Sequence, residues 1–563
     1  MRIRARPLRR FLLAAAALLA LGCAPQQAAQ ETASTAAAVA MPDRYSAGVA
    51  VQVLDDGGSA VDAAVAASFV LAVTFPEAGN IGGGGFMLAR IGNQAAFLDF
   101  REVAPAAATR DMYLDAHGEV DTNASLNGHR AVAVPGTVAG LVQAHAKYGR
   151  LRWSELLAPA IALADNGFAV PQQLVDHIRD ESTRLSAVPG FMRHIGSLRA
   201  GETFRQPQLA ATLRRIADYG TAGFYGGETA RMIIEEMRRG DGIITAEDLA
   251  GYRPRWREPL RTRWRNHEIL AAPPPSSGGL AVVQLLKMKD ALAPAFAGLP
   301  HNSAQYIHLT AEMEKRVFAD RAEYGGDPDF VPQPVAALIA DDYIARRAAE
   351  VNMQTISTAA SVRPGLEGRS TTHFSIVDRD GNAVALTTTL NTDFGSGVVV
   401  EGGGFLLNNE MDDFSAKPGA ANYYGVTGSD ANAIAPGKRM LSSMSPTIIV
   451  TGDRVSMVLG SPGGSTIITS VYQTIVNVLD FGMSAQDAVA ATRFHHQLYP
   501  EDLITFSINR PLPEAVVREL TARGYRARPH EWEIGDLQLI VRDSAGWRAA
   551  SDPRGRGESR VIH

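Results

Sequence analysis

Residues 371–391 read TTHFSIVDRDGNAVALTTTLN, and the folding of this stretch decides the architecture around it. Thr372 to Asp378 alternates between apolar and polar residues and Ala383 to Leu390 is β-rich, so both read as strands. Arg379-Asp380-Gly381 between them supplies turn chemistry, the glycine admitting a positive φ. A loop centred on Asp380 sets Thr371 opposite Thr389; a two-residue loop would shift the register by one and turn the partner to the other face. Threonine in a strand also follows from β propensity alone, so the run Thr387 to Thr389 gains meaning only from its surroundings.

Further β-like runs follow at Phe405 to Leu407, Thr447 to Val450 and Val455 to Leu459, with helical patterns near Thr466 to Leu479 and Ala485 to Thr492. Upstream, Ser59 to Phe75 is nearly apolar all round, as expected of a helix buried between layers. Gly82 to Gly85 tempt a phosphate-cradle reading. However, no Gly-Lys-Ser/Thr follows, the spacing is not G-x-G-x-x-G, and the run enters a strand rather than opening a helix. A tight turn with close backbone packing is the better account. Helical patterns recur at Trp153 to Asn166 and Leu209 to Tyr219, and Pro273-Pro274-Pro275-Ser276-Ser277-Gly278-Gly279 forms a stiff loop ahead of another helix. Helices flanking strands in one half and strands followed by helices in the other predict a layered α/β (α+β) architecture.

The chain has 563 residues, which at ~100 to 200 residues per domain allows several domains or one large α/β body with insertions. No convincing linker divides it after the start. A net charge of −5 with 20% charged residues supplies no basic field for nucleic-acid phosphates. One Cys excludes an internal disulfide, a Cys-x-x-Cys pair and a multi-Cys zinc site. Arg2, Arg4, Arg6, Arg9 and Arg10 precede an apolar run from Phe11 to Leu21, the basic and apolar regions of a secretory signal. That run is shorter than the ~20 apolar residues a membrane-spanning helix needs. Ala20-Leu21-Gly22-Cys23 resembles the lipobox of bacterial lipoproteins, with Ala20 where Leu is usual. Lipidation at Cys23 and ordinary cleavage near Ala24 or Ala29 are both open, and either exports the protein to the bacterial periplasm. The expected organisation is a signal over 1–22 and a flexible tether over 23–43, Gln26 to Ala40 lacking an apolar stripe.

Common catalytic signatures are absent: no G-x-S-x-G, no H-E-x-x-H, no EF-hand loop, and the Cys count leaves no Cys nucleophile. His495-His496 are adjacent and point different ways, which suits a core or solvated pair better than a metal site. What remains is the Thr371 hairpin with three polar segments downstream: Asn408-Asn409-Glu410-Met411-Asp412-Asp413, Leu441-Ser442-Ser443-Met444-Ser445-Pro446, and Gly460-Ser461-Pro462-Gly463-Gly464.

With Leu98-Asp99-Phe100-Arg101-Glu102, the Pro-Pro-Pro-Ser-Ser-Gly-Gly loop and Arg493 to Gln497, these segments resemble γ-glutamyltranspeptidases, N-terminal-nucleophile hydrolases. The resemblance runs from about Arg44 to the C-terminal end. It implies a four-layer αββα sandwich and a precursor that cuts itself between Ser370 and Thr371, leaving a large chain (44–370) and a small catalytic chain (371–563) as a heterodimer. Such a cut makes physical sense. A threonine hydroxyl is a weak nucleophile without a base, and breaking the bond before Thr371 frees an α-amine of pKa ≈ 7.7–8.0, partly neutral near pH 7.

By the same resemblance Thr389 hydrogen-bonds the Thr371 hydroxyl, and Gly463 and Gly464 supply oxyanion N–H groups. Arg101, Ser442 and Ser443 clamp the α-carboxylate of a γ-glutamyl donor, the guanidinium fork suiting bidentate binding. Asn391, Glu410 and Asp413 hold its ammonium, some members carrying Gln in place of Glu410. Pro418 to Lys438, with Tyr424, resembles a lid loop. His373 shares the strand face of Thr371 and reads as a packed strand histidine, tuning of the site being the alternative. No metal or organic cofactor is implied. The expected partners are glutathione and other γ-glutamyl compounds as donors, and amino acids, peptides or water as acceptors. Two alternatives stand beside this one. A glutaryl (cephalosporin-type) acylase would need no ammonium site, because glutaryl groups lack the α-ammonium. An uncleaved exported binding protein would leave Thr371 unprocessed.

Overall fold

The computed structural model describes residues 36–358, 371–417 and 428–563. The signal, Cys23, Ser370 and Tyr424 lie outside the described residues. In chain order the strands of the two larger sheets are β1 (Ala37–Met41), β2 (Gly84–Ile91), β3 (Gln94–Asp99), β4 (Arg255–Arg257), β5 (Leu260–Trp264), β6 (His267–Ala271), β7 (Thr372–Val377), β8 (Ala383–Thr389), β9 (Thr447–Thr451), β10 (Arg454–Gly460), β11 (Gln538–Asp543), β12 (Gly546–Ser551) and β13 (Glu558–Ile562). One sheet runs β13-β1-β7-β8-β2-β3-β4 and the other β12-β11-β10-β9-β6-β5. Every neighbouring pair is antiparallel.

Period-two alternation sorts the side chains of the first sheet into two cores. Ala38, Ala40, Phe86, Leu88, Ala383 and Ala385 face the second sheet and share a cluster with Ile448, Val458 and Leu539, which also takes in the helices Gly278–Ala291, Ala304–Tyr324 and Thr466–Leu479. Val39, Met87, Phe374, Ile376, Val384 and Leu386 face the other way, against the helices Arg44–Asp55, Ala60–Thr74, Thr137–Tyr148 and Trp153–Asn166. The result is helices, sheet, sheet, helices, the expected αββα order. All residues of Ala60–Thr74 are buried, as the sequence predicts, and Ser59 with Asp62 closes its start in a capping box.

The hairpin register holds: Ala383 pairs with Val377 and Thr388 with Thr372, so Thr371 lies just past the last pair, opposite Thr389. The Gly82 to Gly85 turn is a close-packing device. A Cβ on Gly82 would sit 2.1 Å from the Leu406 carbonyl oxygen, and one on Gly83 2.1 Å from that of Thr389.

Two expectations need correction. The tether does not extend to residue 43, because Ala37–Met41 is a strand between β13 and β7. Both its faces are covered, so small residues fit and no alternating stripe is required. Phe405 to Leu407 is not a strand of either sheet. It makes one isolated bridge, Leu406 to Val399, beside a turn in which Gly402 and Gly404 take positive φ.

Candidate active site

The two ends of β7 and β8 open onto the polar segments. Thr371 is 9% exposed and lines a cavity of about 180 Å³ together with Gly463. Gly463 has φ +127° and Gly464 +59°; a side chain on Gly463 would meet the Thr466 hydroxyl at 2.4 Å. Their carbonyls accept from Thr466 and Ile467 at the start of the following helix, while neither amide N–H has an acceptor among the described residues. An unspent N–H on the cavity that Thr371 lines is the geometry an oxyanion requires.

Beyond Thr389, Asn391 takes φ +79°, a left-handed conformation that Asn tolerates. Its N–H donates to Thr389 Oγ1 at 2.8 Å and its Nδ2 to the Asn409 carbonyl at 3.0 Å. Asn408 and Asn409 brace the turn that follows. Asn408 Nδ2 donates to the carbonyls of Gly82 and Ala133, and its Oδ1 accepts from Glu410 N. Asn409 Nδ2 reaches the Leu126 carbonyl and Thr392 Oγ1. This scaffold presents Glu410 and Asp413 to Arg101.

Arg101 is 1% exposed. Its Nη1 lies 2.6 Å from Glu410 Oε2 and 3.7 Å from Glu102 Oε2, and its Nη2 donates to Asp413. Nη2 also reaches the Leu441 carbonyl at 3.2 Å, which ties the guanidinium to the Ser442-Ser443 segment. Burial works against the guanidinium's charge, but Glu410, Asp413 and Glu102 outweigh it and hold Arg101 protonated. Burial also pushes the carboxyls up against the pull of Arg101: Glu102 to about 8, and Glu410 and Asp413 above the usual carboxylate range.

The Ser442-Ser443 segment is held from behind by the proline-rich loop. Ser277 N and Oγ both donate to the Ser442 carbonyl, Ser276 Oγ to that of Met444, and Ser442 N to that of Pro275. A Cβ on Gly278 would meet Ser445 Oγ at 2.2 Å. Ser443 is 6% exposed, and its hydroxyl is buried without a hydrogen-bond partner. A buried hydroxyl with no partner in the protein keeps its hydrogen-bonding capacity unspent.

The sequence model of the Gamma-glutamyltranspeptidase family matches residues 46–562. The chain belongs to that family. A glutathione hydrolase proenzyme of Pseudomonas aeruginosa is 56% identical over 525 residues, covering 93% of this chain and 94% of the relative. That of Escherichia coli is 44% identical over 527 residues, covering 92% and 90%. Among solved structures, a cephalosporin acylase from Bacillus halodurans superposes with a TM-score of 0.81 at 26% identity, covering 93% of this chain and 95% of its own.

Within this γ-glutamyltranspeptidase fold, two buried groups escaped the sequence reading. Glu102 was visible only as part of a motif; its carboxyl packs on Gly84, the strand partner of Thr389. Arg321, from the helix Ala304–Tyr324, donates through Nε to Ser277 Oγ at 2.9 Å. Burial pulls it down to about 9, with Asp413 resisting. No spacing links it to the other site residues. His373 is the packed strand histidine expected. It is fully buried, bound to Thr387 Oγ1 at 2.8 Å and Ser375 Oγ at 3.2 Å, and pushed down to about 3 by burial. His495 and His496 are core residues too, engaged with Gln497 and with Leu498 N.

Proposed function

We propose that this chain is an exported, self-processing γ-glutamyltransferase and glutathione hydrolase. The observation that carries the reading is Arg101, buried among Glu410 and Asp413 and tied through the Leu441 carbonyl to the segment that carries the unpartnered Ser443 hydroxyl. Charges of both signs in one buried place complement the carboxylate and ammonium on a single carbon. A glutaryl group would bring no ammonium to Glu410 and Asp413, which favours γ-glutamyl over the acylase alternative.

In this reading the Thr371 hydroxyl attacks the Ser370 carbonyl to mature the chain. The freed α-amine then takes the hydroxyl proton while Thr371 attacks the γ-carbonyl of the donor. The N–H groups of Gly463 and Gly464 receive the oxyanion, the donor amine leaves, and water or an acceptor amine resolves the γ-glutamyl ester. Export rests on the basic and apolar start of the chain, and a lipid anchor on Cys23.

Intact-mass analysis of the signal-free protein beside Thr371→Ala tests the core of this. The expected result is two chains in the wild type, the smaller beginning at Thr371, with turnover of a γ-glutamyl anilide, and one inactive chain in the variant. A processed, active Thr371→Ala protein would sink the mechanism.

A further inference from the structure

Thr389 is the last residue of β8, and strand pairing holds it on one side only. It pairs with Gly84 of β2, but towards β7 the ladder stops one residue short, at Thr388 with Thr372. In the γ-glutamyl reading above, on which this inference rests, the Thr389 hydroxyl meets that of Thr371. Its placement therefore governs the nucleophile, and a misplacement of about 1 Å can cost roughly a hundredfold in rate. Asn391 N fixes the side chain by donating to Thr389 Oγ1. The main chain is fixed by Asn80, which lies 309 residues away in sequence.

Asn80 is buried, and both ends of its amide are fully engaged. Nδ2 donates to the carbonyls of Thr389 at 2.8 Å and Ala78 at 2.9 Å. It also lies 3.2 Å from Thr388 Oγ1, whose own proton goes to the Gly84 carbonyl. Oδ1 accepts from Gly83 N at 2.9 Å and from Thr137 Oγ1 at 2.7 Å. The partners fix the orientation of the amide, since a flipped one would set its oxygen against two carbonyls. The two ends serve different places. The Oδ1 end joins the glycine turn to the start of the helix Thr137–Tyr148, a junction that Gly136 N and Thr137 N also secure by donating to the Gly83 carbonyl. The Nδ2 end reaches across to the end of β8. A Cβ on Gly83 would fall 2.7 Å from Asn80 Oδ1 as well as against the Thr389 carbonyl, so glycine there lets the amide and the strand end meet.

We infer that Asn80 is a positioning residue for the reaction: its amide holds the Thr389 main chain so that the Thr389 hydroxyl meets Thr371, in self-cleavage and in turnover. Its hydrogen bonds include none to Arg101, Asn391, Glu410, Asp413, Ser442 or Ser443. Losing the Nδ2 end should therefore slow the chemical step and leave the donor clamp as it is.

The test compares two variants with wild type, all as processed enzyme acting on a γ-glutamyl anilide at pH 8.5. Asn80→Asp keeps the shape and the Oδ1 end but replaces the donating Nδ2 by an oxygen, whereas Thr137→Val removes one bond from the Oδ1 end alone. Asn80→Asp should lower kcat by about tenfold or more. Its inhibition constant for L-glutamate, which carries the donor's carboxylate and ammonium, should stay within about threefold of wild type, and Thr137→Val should keep kcat within about twofold. An Asn80→Asp chain that stays uncut at the wild-type melting temperature also supports the assignment, because the same hydroxyl makes the cut. Unchanged kcat in Asn80→Asp overturns it. So does a glutamate inhibition constant that rises in step with the fall in kcat, or an equal loss in Thr137→Val, since either would make the amide a general brace of the scaffold. If Asn80→Asp does not fold, Asn80→Ala, which introduces no charge, is held to the same limits. A wild type that turns over no anilide overturns the γ-glutamyl reading itself, whereas an active wild type beside an equally active Asn80→Asp overturns this inference alone.

Discussion

Replacing Arg101 by Met keeps much of the side chain's length but removes the one positive charge set directly among Glu102, Glu410 and Asp413. Breaking a buried charge cluster by deleting one partner costs about 3–5 kcal/mol, and here that cost must depend on pH. Glu102 in the folded protein already holds its proton to about 8, against ~4.3 in an unfolded chain. A carboxyl raised in this way binds its proton more tightly when folded. Its contribution to stability is therefore full below the unfolded value and is lost as pH rises through the folded one. Deleting a unit positive charge invites the cluster to keep one more proton. Each extra proton retained on folding costs about 1.4 kcal/mol per pH unit, so the Arg101→Met penalty should be about 4 kcal/mol larger at pH 8.5 than at pH 5.5. Urea unfolding at both pH values, in a Thr371→Ala background that keeps one chain, reads this as a difference in midpoint shift. Equal shifts at the two pH values would refute the shared-proton account of this cluster.

Other substitutions probe single contacts. Ser443→Ala removes a buried hydroxyl that has no partner, so thermal stability should hold, while loss of a hydrogen bond to a charged ligand, about 1.5–3 kcal/mol, lowers kcat/KM for a γ-glutamyl anilide roughly tenfold or more. An unchanged kcat/KM removes Ser443 from the clamp. Gly460→Ala would drive a methyl to 2.3 Å from His373 Cε1; with the ring buried and bound at both nitrogens, the overpacking should cost about 1–3 kcal/mol. A melting temperature equal to wild type would show that the ring can yield. Cys23→Ala should shift the mature protein from the membrane to the soluble fraction of cells, and no shift would point to ordinary signal cleavage.

Much of this was legible because local chemistry and tertiary need agree. Gly381 takes φ +78°, and the Asp378 carboxylate accepts from Asp380 N and Asn382 N, so the turn that sets the Thr371 register is fixed by the residues within it. Ala60–Thr74 is apolar on every side because every side is covered. Ala37–Met41 fails as a signal for the same reason: a strand buried on both faces needs no alternation, and alanine-rich sequence reads as tether. Glu102 and Arg321 belong to the third kind. Glu102 packs on Gly84 and Arg321 meets Ser277, contacts between residues well apart in sequence, and neither periodicity nor spacing records such a meeting.

The sheets also say what a cut before Thr371 would do. In the first sheet the order β13-β1-β7-β8-β2 interleaves strands from both sides of that bond: β1 lies between β13 and β7, and β8 pairs with β2 through seven residue pairs, Ala383 to Thr389. In the second sheet β9 pairs with β6 across the same divide. Three of these seams run the length of a strand, and β7 adds a fourth through Ser375 to Val377. Separating the chains would expose sheet edges and split both cores, so it cannot precede unfolding. The processed protein should therefore elute as one species in 1 M salt, and in urea chain separation should coincide with loss of Trp fluorescence signal. Separation at a urea concentration that leaves the fluorescence native would mean that the seams contribute far less than the pairing implies.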